Sequence, residues 1–141
     1  MNNYLRWFAI SIATAATTGC SPSYEFRSDE RPTYENTVTV DELVELKKQG
    51  AVVVDVRLIE DFQAEPTLIP DAMYRDPENI EAWSASMSPK NQPVIVYCVK
   101  GKWVSQKAAN YLRTQGYEVY SLEGGIEAWK SANRDTVSPA N

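Results

Sequence analysis

The chain reads as a single α/β domain in which a parallel sheet carries helices on both faces. Three observations predict it. Runs such as AVVVDV (51–56) and PVIVYC (93–98) are largely apolar and rich in β-branched residues, as suits strands buried on both sides. Helix-like stretches with recognisable start and stop signals lie between those runs. Strands that alternate with helices must return through crossovers, which makes the strands parallel and covers the sheet.

Taken in order, TVTV (37–40) predicts a short first strand. Thr39 and Glu42 have the spacing of a capping box, so a helix is predicted over 40–48, with Leu43 and Leu46 inward and Gly50 as its stop. AVVVDV is the next strand, and a short one is expected near 72–74. Asp76-Pro77 pairs an N-cap residue with a first-turn proline and predicts a helix to about Met87. PVIVYC follows. A helix is then expected over 104–115, with Ala108, Ala109 and Leu112 as its apolar stripe and Gly116 at its end. YEVYSL (117–122) is the last strand, and GGIEAW opens the last helix.

Before Thr37 the composition changes. Arg6 precedes the uncharged run from Trp7 to Thr18, then small residues, then Gly19-Cys20. That order is the layout of a secretory leader, and the run is shorter than the roughly 20 residues a membrane span needs. Gly before Cys resembles the lipobox of bacterial lipoprotein precursors, although Thr17 stands where leucine is usual. The resemblance implies a leader over 1–19, lipidation of Cys20 and a protein anchored in the bacterial cell envelope facing the periplasm. Soluble secretion and a retained N-terminus are the alternatives. Residues 20–36 are polar, contain proline and lack periodicity, so they read as a flexible tether; 133–141 reads as a loose tail. The domain is placed at 37–132.

Composition narrows the chemistry. A net charge of −5 argues against a general nucleic-acid binder. With 0 histidines, no imidazole base and no imidazole-ligated metal is available, and neither a metal nor an organic cofactor is implied. Of the 2 cysteines, Cys98 stands at the carboxyl end of a predicted buried strand, directly before a helix. Ligands of parallel α/β sheets bind at that edge. An ordinary thiol is a modest nucleophile at neutral pH. Here the backbone amides of Val99, Lys100, Gly101, Lys102 and Trp103, the positive end of the next helix and the two lysines combine into an anion cradle for a sulfur anion or a persulfide. A cysteine closing a strand is also commonly just a small buried apolar residue, and that alternative stands beside this one.

These landmarks resemble the rhodanese-like (thiosulfate sulfurtransferase) domain. VVVDVR, EDF (60–62), IPDA (69–72), VIVYCVKG and SQKAANYLRTQGYEVYSLEGGIEAW follow one another in the family's order. The resemblance implies a rhodanese-like fold in which Cys98 accepts sulfur from a small anionic donor such as thiosulfate and passes it to a thiol or cyanide. Lys100 and Lys102 would draw in the donor, and Asp55 and Arg57 would form a charged pair supporting the site or orienting the loop. The loop from Cys98 is one residue longer than is usual for sulfurtransferases of the family. Longer loops belong to phosphatases and arsenate reductases, but these need an arginine where Val104 stands. A non-catalytic, membrane-tethered binding module and an oxyanion enzyme are the competing expectations.

Overall fold

The structure, a computed structural model, describes residues 23–87 and 90–140. The expected leader over 1–19 and Cys20 lie outside the described residues. Five strands, β1 (Thr37–Val38), β2 (Val52–Asp55), β3 (Met73–Tyr74), β4 (Val94–Tyr97) and β5 (Val119–Leu122), form one sheet in the order β1-β5-β4-β2-β3, with every neighbouring pair parallel. Helices α1 (Val40–Lys48), α2 (Ile59–Ala64), α3 (Ile80–Ala85), α4 (Trp103–Thr114) and α5 (Gly125–Ser131) cover it.

Local signals explain most of these elements. The Thr39–Glu42 capping box is formed reciprocally at the start of α1. Asp76 caps a short 3-10 turn over Pro77–Asn79 that leads into α3. The helix expected to run to about Met87 is therefore shorter and tighter at its start. Helix α2 has no side-chain cap and only one turn and a half, too short to announce itself in the pattern. Tertiary contacts hold it: Phe62 stacks on Tyr74 of β3 with ring centroids 4.0 Å apart, and Arg57 sits 5.2 Å from the same ring.

Alternation along β2 and β4 divides the core into two layers. Val54, Val56, Val94, Val96 and Cys98 pack beneath α3 and α4, with Ala108, Ala109 and Leu112 from the expected stripe. Val53, Ile95, Tyr97 and Leu122 face the other way, against Leu43 of α1 and Ile126 and Trp129 of α5. Between β2 and β4 the strand order reverses direction, and their following helices leave toward opposite faces. That is where a crevice opens in a parallel sheet.

Two segments differ from their expected looseness. Over 23–36 the chain lies on the domain instead of trailing as a tether. Phe26 is buried in the α3/α4 layer, Tyr24 N–H donates to Glu81, and Glu35 O accepts from Arg113. Its aromatic residues, scattered without period, find a surface only once α4 exists. The tail is pinned as well: Leu68 and Val137 exchange backbone hydrogen bonds at 2.7 and 2.8 Å, and Trp129 Nε1 donates to Asp135 O. The antiparallel bridge joins parts of the chain far apart in sequence, which no local pattern reports.

Candidate active site

The strand β4 ends at Tyr97, and Cys98 is the first residue beyond it. Its side chain is 5% exposed, packed on Val54-layer residues on one side and flooring a cleft of about 270 Å³ on the other. Val99, Lys100, Lys102, Trp103 and Val104 form one wall, and Asp61 of α2 faces them. The sulfur is thus neither free in solvent nor sealed from it.

The loop from Cys98 to Lys102 is held against the start of α5. Ile126 N–H donates to Cys98 O at 2.9 Å and Glu127 N–H to Val99 O at 3.1 Å. The approach is too close for any side chain. A Cβ on Gly125, whose φ is +59°, would lie 2.4 Å from Cys98 O, and one on Gly101, at φ +70°, 2.7 Å from both Gly124 N and Leu122 O. The glycines foreseen as landmarks are therefore the contact surface on which the loop is moulded. The Cys98 and Val99 carbonyls are taken up by α5 and that of Lys102 by α4, while no acceptor pairs with the amides of Val99, Lys100, Gly101, Lys102 or Trp103 among the described residues. Four of these residues, Val99, Lys100, Lys102 and Trp103, line the cleft.

Ser105, in the first turn of α4 and fully buried, is a partner that the sequence reading did not single out. Cys98 Sγ–H donates to Ser105 Oγ at 3.2 Å, and Ser105 Oγ–H reaches Lys102 O at 3.4 Å. A serine hydroxyl has a single proton that can turn. When the sulfur carries a negative charge, that proton can point at it instead of at the Lys102 carbonyl. Asp61 also escaped notice, although EDF was one of the landmarks; only the position of α2 brings it to the cleft.

The Asp55–Arg57 pair is not beside the sulfur. Alternation puts both side chains on the face opposite Cys98, where they are fully buried. Arg57 Nε donates to Asp55 at 2.9 and 3.1 Å and Nη2 at 2.6 Å, while Nη1 and Nη2 donate to Glu65 O and Thr67 O at 3.0 and 2.6 Å. Burial pushes the Asp55 carboxyl above its ordinary value, and the guanidinium opposes that shift. The neighbouring Tyr97 hydroxyl, buried and next to Asp55, is pushed far up and stays neutral, accepting from Ile69 N–H at 3.2 Å. The pair ties β2 to the segment after α2, so its link to the site runs through the placing of Asp61.

A thiol at the carboxyl edge of a parallel sheet, heading a loop with two lysines and packed on the start of a helix, is the arrangement of a single α/β domain of one known family. The rhodanese-like domain model matches residues 39–132, and the chain belongs to that family. The chain is 41% identical over 91 residues to thiosulfate sulfurtransferase GlpE of Pseudomonas savastanoi pv. phaseolicola, covering 64% of this chain and 82% of that one. A protein of Bacillus halodurans is 28% identical with a TM-score of 0.64, over 73% of this chain and 77% of that one. A rhodanese-related protein of Thermoplasma volcanium shares the fold at 19% identity, TM-score 0.64, over 74% of this chain and all of its own. The family match begins at Thr39, so the packed segment 23–36 lies outside it.

Proposed function

We infer that the protein is a sulfurtransferase in which Cys98 carries the moving sulfur. The observation that bears most weight is the set of unpaired amides from Val99 to Trp103 on the loop that follows a thiol lining the cleft. The Cys98 sulfur anion attacks the outer sulfur of thiosulfate; the S–S bond breaks with its electron pair leaving on sulfite, and a persulfide anion remains on Cys98. An acceptor thiolate or cyanide then attacks that outer sulfur, and the electron pair returns to Cys98. Charge balances in each half, and no external oxidant or reductant is required. Free amides and the Ser105 hydroxyl stabilise the sulfur anion in both directions. Lys100 and Lys102, both at the exposed rim, attract the dianionic donor. Thiosulfate as donor is supported by the 41% identical relative of that name. Val104, where an oxyanion enzyme would need arginine, is buried and apolar, which disfavours phosphate or arsenate.

Intact mass after incubation with thiosulfate tests this. Wild type gains one sulfur atom and Cys98→Ser gains none; a wild type that stays unmodified, or a serine variant that still turns over, refutes the assignment. Envelope anchoring through Cys20 rests on the sequence of the leader. Its test is fractionation, with Cys20→Ser leaving the membrane fraction.

A further inference from the structure

After Trp103, α4 is buried on every side for its next six residues. Val104, Ser105, Gln106, Lys107, Ala108 and Ala109 are six consecutive buried residues, whereas an amphipathic surface helix exposes about half of any such run. The sheet covers one side, and the segment outside the family match covers the other. Lys107 is only 7% exposed, and its ammonium donates to Phe26 O at 3.1 Å, to Ser28 Oγ at 3.2 Å and to Ser28 O. A lysine is rarely so buried, and three oxygen acceptors from one short segment account for it.

That segment then meets both walls of the Cys98 cleft. Phe26 packs on Trp103 with ring centroids 5.9 Å apart, and Lys107 Nζ lies 5.7 Å from the same ring. One residue on, Arg27 donates to Glu60 at 3.0 Å and to Glu78. Glu60 is the neighbour of Asp61, which lines the cleft opposite Trp103. Residues 26–28 therefore bridge the two sides of the site. Trp103 is left 39% exposed, lining the Cys98 cleft and, beside the strap, a second hollow formed by 27–32.

We propose that this strap makes Trp103 a fixed apolar platform that selects a thiol acceptor bearing an apolar group over cyanide, with Phe26 and Arg27 as positioning residues acting through it. This rests on the sulfurtransferase reading. The cleft, at about 270 Å³, is near the lower end of small-molecule sites (about 300–1,000 Å³) and fits one thiol-bearing group with an apolar flank. Val99, Val104 and the indole supply that flank's surface. Cyanide has two atoms and offers no apolar flank for an indole to hold. Holding one rotamer-rich side chain in place changes an affinity by about three- to tenfold.

The test compares acceptors on the full chain. Wild type is first charged with thiosulfate, and one added sulfur is confirmed by mass. The KM for benzyl mercaptan and for cyanide is then measured in wild type, Phe26→Ala and Phe26→Leu. Phe26→Ala raises the benzyl mercaptan KM about three- to tenfold and the cyanide KM less than about twofold, and Phe26→Leu recovers most of the loss. If Phe26→Ala does not fold, Arg27→Gln is read in its place, because Arg27 is exposed and its change releases the strap without opening the core. An equal shift for both acceptors, or none for either in a folded variant, overturns the proposal alone. Failure of wild type to take up sulfur overturns the sulfurtransferase reading and this proposal with it.

Discussion

Ser105→Ala isolates what a single buried hydroxyl does for the reacting sulfur. Ser105 is fully buried, so water cannot replace the lost donor, and alanine occupies the space without strain. The distance from Oγ to Cys98 Sγ is 3.2 Å. A hydrogen bond to a charged group contributes about 1.5–3 kcal/mol, and sulfur, a diffuse acceptor, places this one near the lower end. Every 1.36 kcal/mol is a factor of ten in rate, so about 1.5 kcal/mol predicts roughly a tenfold slower attack on thiosulfate. The neutral thiol loses less, because its contact with Ser105 is a weak S–H bond. The assay is the rate of persulfide formation at pH 7 by quenched-flow mass spectrometry, with alkylation by iodoacetamide as a donor-independent control. Both rates fall together if the hydroxyl acts on the sulfur, and Ser105→Thr recovers part of the loss. A folded Ser105→Ala variant that matches wild type within twofold in both assays refutes the reasoning.

Two further substitutions probe the frame around the site. Arg57→Ala leaves the fully buried Asp55 carboxylate without its counter-charge and the Thr67 carbonyl without its donor, and is expected to destabilise by about 3–5 kcal/mol in urea denaturation. Removing both charges, as in Asp55→Asn with Arg57→Met, costs less than Arg57→Ala alone. Gly125→Ala brings a Cβ to 2.4 Å from Cys98 O and 2.5 Å from Val99 O at a φ of +59°, so strain and overpacking together are expected to cost about 2–4 kcal/mol. Its melting temperature should drop, and sulfur uptake should fall even below the melt because the loop must shift. A variant with unchanged uptake would show that the α5 contact does not shape the site.

Much of the domain was legible because its signals are local. VVV (52–54) and VIVY are apolar without alternation, which suits a strand covered on both faces, and the Thr39–Glu42 pair marks a helix start by spacing alone. Cys98 at a strand end before a helix places a thiol at the sheet's binding edge on the same local grounds, and the order of the landmarks carried the family. The glycines at 101 and 125 could be read as special positions, though not what they touch.

Tertiary structure decided what the cysteine loop faces. Strand alternation turned Asp55 and Arg57 away from Cys98, because residues separated by one position on β2 share a face and Val54 and Val56 already occupy the sulfur's side. Asp61 and Ser105 reach the site through the packing of α2 and α4, one on each side of the switch between β2 and β4. The polar, aperiodic stretch 23–36 contains nothing that predicts order by itself. Its order comes from contacts made across some 80 positions, such as Lys107 to Phe26 and Ser28. Sequence alone thus determined the buried strands, the longer helices and the place of Cys98 between a strand and a helix, whose signals lie within a few residues of each other. The walls of the cleft depend on long-range contacts, and those acquire energy only when the sheet has brought distant segments together.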